Sequence, residues 1–173
     1  MVFIDGKKIY LRGLQQADLE TGYISWLNDP EVCQFNNHNR FPYSAEQSSD
    51  YIKNSYNKSN LILAICEKEN HTHIGNISLQ CIDWINRNAE FAILLGNKKF
   101  WKKGYAKEAG KLIINHGFNE LNLQRIYCGT SEKNIGMQKL AAYLNMDQEG
   151  VRRKAIFKHG EYLDMLEYGI LNE

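Results

Sequence analysis

Apolar residues recur along this chain with two periods, and the period switches several times. Residues 8–12 alternate Ile9 and Leu11 with polar neighbours, which predicts a short strand. Leu19, Tyr23, Trp26 and Leu27 then recur at helical spacing. Asp18 is placed to cap that helix, and Asn28-Asp29-Pro30 to end it. Residues 32–42 are polar and irregular. A second helix is predicted from Ser44 to about Tyr56, with Gln47 completing a capping box. Residues 61–67 form a dense apolar strand, 68–72 a polar turn, and 74–82 the next strand, which together predict a hairpin. A connection at 83–88 leads to a third strand of the meander, 89–95. After a lysine-rich turn, 105–118 reads as a helix on which Ala106, Ala109, Leu112, Ile113 and His116 can share a face. Residues 125–130 predict a strand and 134–144 a helix. Residues 151–158 and 162–171 predict a closing hairpin joined by His159-Gly160-Glu161.

The order is strand, two helices, three antiparallel strands, helix, strand, helix, two strands. It predicts an α/β fold: a mixed, mostly antiparallel central sheet with helices on its faces. Three consecutive antiparallel strands argue against a dinucleotide fold, which needs βαβ units from the start. No internal repeat or low-complexity linker appears, so residues 1–173 read as a single domain.

Composition narrows the function classes. A chain of 173 residues with 43% hydrophobic and 24% charged residues can bury a core of ordinary size. Lys plus Arg total 21 against 20 Asp plus Glu, and a net charge of +1 predicts no general nucleic-acid binding. No run approaches the ~18 apolar residues of a membrane span, and Asp5 interrupts the N-terminal stretch before a signal-peptide core can form. No membrane partner is expected. Cys33, Cys66, Cys81 and Cys128 are far apart, each in or near an apolar run, and predict buried thiols in a reducing cytoplasm. They share no ligand spacing with the five histidines, so no metal site is predicted; His71 and His73 have the spacing to bind a metal across a strand but read as part of a polar turn.

The stretch Phe100-Trp101-Lys102-Lys103-Gly104-Tyr105-Ala106-Lys107-Glu108-Ala109 carries the first chemical signal. A strand that breaks into a Gly-containing turn and then opens a helix leaves backbone N–H groups unpaired at the helix's positive end. That is a site for an anion, most often a phosphate. Lys98, Lys99, Lys102, Lys103, Lys107 and Lys111 cluster about it, either as a solvated helix face or against a polyanion. The turn is neither a P-loop nor a Gly-x-Gly-x-x-Gly fingerprint.

Further matches follow in order. They are Leu11-Arg12-Gly13-Leu14 with Asp18-Leu19, Trp26-Leu27-Asn28-Asp29-Pro30-Glu31-Val32, Ile74-Gly75-Asn76-Ile77, and Asn88-Ala89-Glu90-Phe91-Ala92-Ile93. Then come Trp101-Lys102-Lys103-Gly104-Tyr105-Ala106, Ser131 to Leu140, Leu144-Asn145-Met146 and the closing hairpin. Over nearly its whole length the chain resembles the GNAT superfamily of acetyl-CoA-dependent N-acetyltransferases. It looks closest to the branch of ribosomal-protein N-terminal, spermidine and amino-sugar acetyltransferases.

The resemblance implies a GNAT-like fold and acetyl-CoA as co-substrate. It implies that backbone N–H groups of Trp101, Lys102, Lys103, Gly104, Tyr105, Ala106 and Lys107 hold the coenzyme A pyrophosphate. The strand before that turn would splay from its neighbour and pair with pantetheine along Ile93, Leu94 and Leu95, and Asn134 would hydrogen-bond the pantetheine arm; its bland alternative is a helix N-cap, and both can hold together. Lys102 departs from the glycine common at its place and needs negative φ unless strain is absorbed. Asn145 at a glycine place suits a left-handed helix terminus.

Acetyl transfer needs a neutral amine, a group to take its proton and an N–H for the thioester oxygen. Glu90, at the head of the splayed strand, is the expected general base or holder of a cationic substrate; its bland alternative is an ion pair with Arg87 or a lysine. A family Tyr that serves as general acid in many relatives falls at Ala141. Tyr143 lies two residues on, roughly 200° round the helix, and cannot inherit the role. Trp26, Phe35, Tyr43 and Trp84 are candidates for an aromatic substrate wall. The expected acceptor is a primary amine, on a protein N-terminus or a nucleotide-linked amino sugar, acetylated by direct transfer in a ternary complex. A polyamine acceptor or a non-catalytic coenzyme-binding module are the alternatives, and a homodimer is left open.

Overall fold

The computed structural model of the chain describes residues 1–55 and 57–173. Its strands are β1 (Ile4–Asp5), β2 (Ile9–Gly13), β3 (Leu61–Glu67), β4 (His73–Asp83), β5 (Asn88–Leu94), β6 (Arg125–Ser131), β7 (Asp147–Lys158) and β8 (Glu161–Leu171). Its α-helices are α1 (Tyr23–Leu27), α2 (Ala45–Asn54), α3 (Tyr105–Asn119) and α4 (Ile135–Tyr143). The strands form one sheet in the order β1-β2-β3-β4-β5-β6-β8-β7. Every pairing among the described residues is antiparallel except β5 with β6.

Each face of the sheet buries a separate apolar cluster. Ile9, Leu11, Ile65, Ile77, Leu79, Phe91 and Ile126 point to the face covered by α3 and α4, where they meet Ala109, Ile113, Leu140 and Ala141. Burying a side chain such as Ile113 or Phe91 contributes roughly 1.5–3 kcal/mol. On the other face Tyr10, Ala64 and Cys66 meet Tyr23, Trp26, Leu27 and Ile52 of the two N-terminal helices. The period-2 alternation of the strands therefore sorts residues between two cores.

Most expected elements are present with shifted ends, and the capping box at Ser44 and Gln47 forms as the pattern predicts. The far end expected for that helix, at Tyr56, lies outside the described residues. Several expectations need correction. The first helix is two pieces: a 3-10 turn over Gln16–Thr21, then α1, separated by Gly22 at φ +99°. Asp18 caps nothing of α1; it is buried inside the 3-10 turn and takes the Arg12 guanidinium on both oxygens. The buried stripe of α3 is Ala109, Gly110, Ile113, Ile114 and Gly117. His116 lies outside it and stacks edge-on against Phe3 at 5.0 Å, because β1, too short to announce itself in the sequence, covers that flank. His73 is no turn residue but the fully buried first residue of β4. All four cysteines are free, but Cys81 is exposed, because it is the left-handed residue of a bulge where β4 slips register against β5.

Candidate active site

The pairing of β5 with β6 covers only Asn88–Arg125, Ala89–Ile126 and Glu90–Tyr127. Beyond Glu90 the strands part. β5 stays with β4 as far as Leu94, and β6 stays with β8 as far as Ser131. A wedge opens between them, with Phe91, Ala92, Ile93 and Leu94 on one lip. This is the splay that the resemblance implied. Leu95 lies just past the strand, and its carbonyl is taken by the Trp101 indole N–H at 2.7 Å. Gly96 lies flat under Trp26; a Cβ there would come within 1.9 Å of the indole ring.

The turn that follows closes the mouth of the wedge. Asn97 caps a short 3-10 turn, Lys98–Phe100, by accepting from the Lys99 N–H. The chain then passes through Lys102 at φ +60° and Gly104 at φ +87° before α3 begins. Lys102 thus takes the strained left-handed alternative, which costs a non-glycine residue roughly 1–2 kcal/mol. No side chain caps α3. The first helical bond runs from the Glu108 N–H to the Gly104 carbonyl, so the N–H groups of Tyr105, Ala106 and Lys107 have no helical partner. A Cβ built on Gly104 meets nothing within 4 Å, so the space beside Gly104 is open.

The lysines divide. Lys98 is tied to Asp29 and Glu31, at 2.8 and 2.6 Å. Lys107 and Lys111 lie over the Tyr143 ring, at 4.4 and 4.6 Å from its centre. Lys102 is left exposed at the turn. Tyr143 therefore faces these lysines on the surface, while Ala141 is fully buried in the core. The place where a family Tyr was expected is filled by a methyl group.

Asn134 caps α4. Its side-chain oxygen accepts from the Met137 N–H at 3.1 Å, and its amide donates to Thr130 Oγ1 at 3.0 Å. One amide N–H remains uncommitted.

Two cavities flank the wedge on the face of α1 and α2. The larger, about 370 Å³, is lined by Tyr23, His38, Tyr43 and Tyr51, by Asn76, Ser78 and Gln80 of β4, and by Ala92, Ile93 and Leu94 of the lip. Asp, Glu, Lys and Arg are absent from its described lining. Its aromatic wall differs from the expected one: of Trp26, Phe35, Tyr43 and Trp84, only Tyr43 is there. Trp26 is buried against Gly96, and Trp84 is half exposed on the 83–88 connection, its indole donating to the Lys58 carbonyl. Tyr23, Tyr51, His38 and the β4 amides were missed. Alternation on β4 places Asn76, Ser78 and Gln80 on one face, but only register with β5 shows that this face meets the lip.

His38 donates to or accepts from the Tyr43 hydroxyl at 2.8 Å, and burial with the nearby Lys158 charge holds its pKa below the ordinary value. The Lys158 ammonium donates to the carbonyls of Asn36 and His38, and Arg40 donates to the Phe157 carbonyl. The β7–β8 hairpin thereby pins the irregular 36–40 segment over the cavity.

The smaller cavity, about 210 Å³, lies where β5 and β6 part. Glu90 and Tyr127, partners across that pairing, line it with Arg125, Glu149, Arg152 and Glu167. Arg125 is paired with Glu149, and Arg152 with Glu167 at 3.0 Å. Glu90 makes no ion pair among the described residues, with Arg87 or any lysine. Burial and the Glu90 charge raise the Tyr127 phenol. The Cys128 thiol beside them is pushed up to about 12, chiefly by burial, and is no nucleophile at neutral pH. No cluster of three or more metal-ligating side chains exists among the described residues, and no described helix is long and apolar enough to cross a membrane.

A mostly antiparallel sheet split at one parallel pairing, with the strand on one lip leading through a turn into an uncapped helix, is an acetyltransferase scaffold. The chain belongs to the GNAT family: the family's acetyltransferase (GNAT) domain matches residues 8–147. The protein is an acetyl-CoA-dependent N-acetyltransferase with acetyl-CoA as co-substrate. Over 173 aligned residues it is 29% identical to the uncharacterized N-acetyltransferase p20 of Bacillus licheniformis, covering 95% of this chain and 93% of that one. It is similar in fold to the crystal structure of spermidine N-acetyltransferase from Vibrio cholerae in complex with CoA and spermine (TM-score 0.86, 24% identity, 95% of each chain). It is also similar in fold to RimL, a ribosomal L7/L12 alpha-N-protein acetyltransferase in complex with coenzyme A (TM-score 0.87, 16% identity, 96% of this chain and 95% of that one).

Proposed function

We propose that residues 1–173 act as one acetyltransferase domain. It moves the acetyl group of acetyl-CoA to a primary amine carrying a single positive charge, on a protein N-terminus or a nucleotide-linked amino sugar. The observation that carries this reading is the carboxylate-free lining of the larger cavity, which abuts the lip at Ala92, Ile93 and Leu94. A polycation desolvated there would lack counter-charge, whereas one amine can be met by one carboxylate at the edge.

The coenzyme's pyrophosphate rests on the turn from Trp101 to Gly104 and on the N–H groups of Tyr105, Ala106 and Lys107. The open space beside Gly104 supports this. Pantetheine runs along Ile93, Leu94 and Leu95, with the uncommitted Asn134 N–H on its amide. Glu90, free of ion pairs, meets the incoming ammonium and takes its proton. The amine nitrogen then forms the C–N bond as the C–S bond breaks. The thiolate leaves with the electron pair and takes up the second proton, which the nitrogen sheds as the amide forms; a thiol of pKa near ~8.5 needs little help from an acid. Direct transfer is supported by the raised pKa values of Cys33, Cys66 and Cys128. Free thiols also fit a cytoplasmic setting.

A polyamine is the second reading. The carboxylates of Glu90, Glu149 and Glu167 around the smaller cavity favour it, although Arg125 and Arg152 neutralise two of them. Thiol release from acetyl-CoA with a peptide amine, an amino-sugar nucleotide and spermidine decides. Turnover confined to spermidine would overturn the first reading.

A further inference from the structure

We propose that Asn76 is a specificity-determining residue of the larger cavity. A buried polar chain holds it as a hydrogen-bond donor, so it selects amines with an oxygen acceptor close to the amine-bearing carbon. The inference rests on the acetyl-transfer reading above.

The chain begins at Arg12, whose guanidinium donates to both oxygens of Asp18 at 2.9 and 2.6 Å. Asp18 lies 3.5 Å from Nδ1 of His73, and both side chains are buried. On the other side of the ring, His73 Nε2 lies 3.0 Å from the Gly75 carbonyl and 2.8 Å from Oδ1 of Asn76. A backbone carbonyl can only accept, so the single ring proton is assigned to Nε2, and Nδ1 is left to accept from the Thr21 hydroxyl 3.3 Å away. The Asn76 atom facing it must then be the amide oxygen; a flipped amide would set N–H against N–H. Trp26 packs edge-on against the ring at 5.0 Å, and Tyr23 lies at 6.2 Å.

With its oxygen committed to His73 and one amide N–H turned to the Tyr23 hydroxyl, Asn76 has one amide N–H left for the cavity it lines. It stands opposite Leu94 in the β4–β5 ladder, beside the lip. A peptide N-terminus brings a carbonyl oxygen on the carbon next to the amine-bearing one, and an amino sugar brings a neighbouring hydroxyl. Either oxygen can accept from Asn76. A protonated polyamine offers donors alone and would meet donors.

The test measures thiol release at saturating acetyl-CoA with a dipeptide amide, an amino-sugar nucleotide and spermidine, on wild type, Asn76→Leu, Asn76→Ser and Asn76→Asp. Coenzyme affinity is measured alongside by calorimetry. Asn76→Leu and Asn76→Ser should raise KM for the oxygen-bearing acceptors about tenfold, with kcat changed less than threefold and coenzyme Kd unchanged. Asn76→Asp should increase kcat/KM for spermidine severalfold over wild type. Should Asn76→Leu not fold, Asn76→Ser carries the same readout. KM within twofold of wild type in a folded variant overturns the inference and leaves the acetyl-transfer reading standing. Wild-type turnover confined to spermidine overturns both.

Discussion

The two halves of the site are built from different material. The proposed coenzyme turn, 96–107, is one contiguous segment that offers backbone N–H groups and open space. The acceptor cavity is assembled from side chains of α1, α2, β4, β5 and the 36–43 segment, held by buried hydrogen bonds. The turn should therefore tolerate changes of side chain and fail on changes of backbone geometry. The cavity should do the reverse. They meet physically at Trp26, which packs on Gly96, and at Lys98, which ties the turn to Asp29 and Glu31.

The largest effect is expected at the cavity's foundation. Asp18→Ala leaves the Arg12 charge, whose side chain is 13% exposed, without its partner, and should cost about 3–5 kcal/mol of stability by urea denaturation. Next, Glu90→Gln should lower kcat/KM for the acceptor by roughly 10- to 100-fold with coenzyme Kd unchanged. A comparable loss of coenzyme affinity would erase the division between the halves. Gly104→Val should do the opposite. A β-branched residue at φ +87° is strained although nothing touches its Cβ, and coenzyme Kd should weaken by about tenfold, with acceptor KM constant.

Acid should act on the cavity side. Burial holds His73 and His38 below their ordinary pKa, so the unfolded chain binds protons that the folded one refuses. Their contribution is intact above about pH 6.5 and is lost as pH falls below that value. The unfolding free energy from urea denaturation should fall between pH 7 and 5 by on the order of 1 kcal/mol, and His73→Gln should flatten the slope. Asp18 follows only at lower pH. Its burial would raise the carboxyl, but the Arg12 and Gln15 hydrogen bonds outweigh that and hold it low. The smallest effect is Lys102→Gly. Removing the left-handed strain should stabilise by less than about 1 kcal/mol, with coenzyme affinity unchanged or slightly better; a loss would show that the Lys102 side chain itself meets the phosphates.

Legibility followed the same boundary. Gly104, Ala106 and the lysines stand together in the chain, so the turn could be read before any fold was known. Asn134 was legible as a cap for the same reason. The acceptor wall was not: Tyr43 was expected there, but Trp26 and Trp84 were also expected and lie elsewhere. Burial on a helix face and exposure on a connection look alike when only residue type is visible. His73 was read as a turn residue because two histidines and a threonine mimic polar turn chemistry, whereas here the polar residue pairs with Asp18 and Asn76 inside the core.

Local rules governed what adjacent residues can encode. The alternation of strands, the caps at Ser44 and Asn134, and the unpaired N–H groups opening α3 each depend on a handful of neighbours and were set by the chain alone. Folding supplied whatever needed partners far apart: the parting of β5 from β6 after Glu90, the pairing of Arg125 with Glu149 that leaves Glu90 free of an ion pair, and the packing of His73 between Asp18 and Asn76. Such contacts join segments tens of residues apart, and no short-range pattern specifies them.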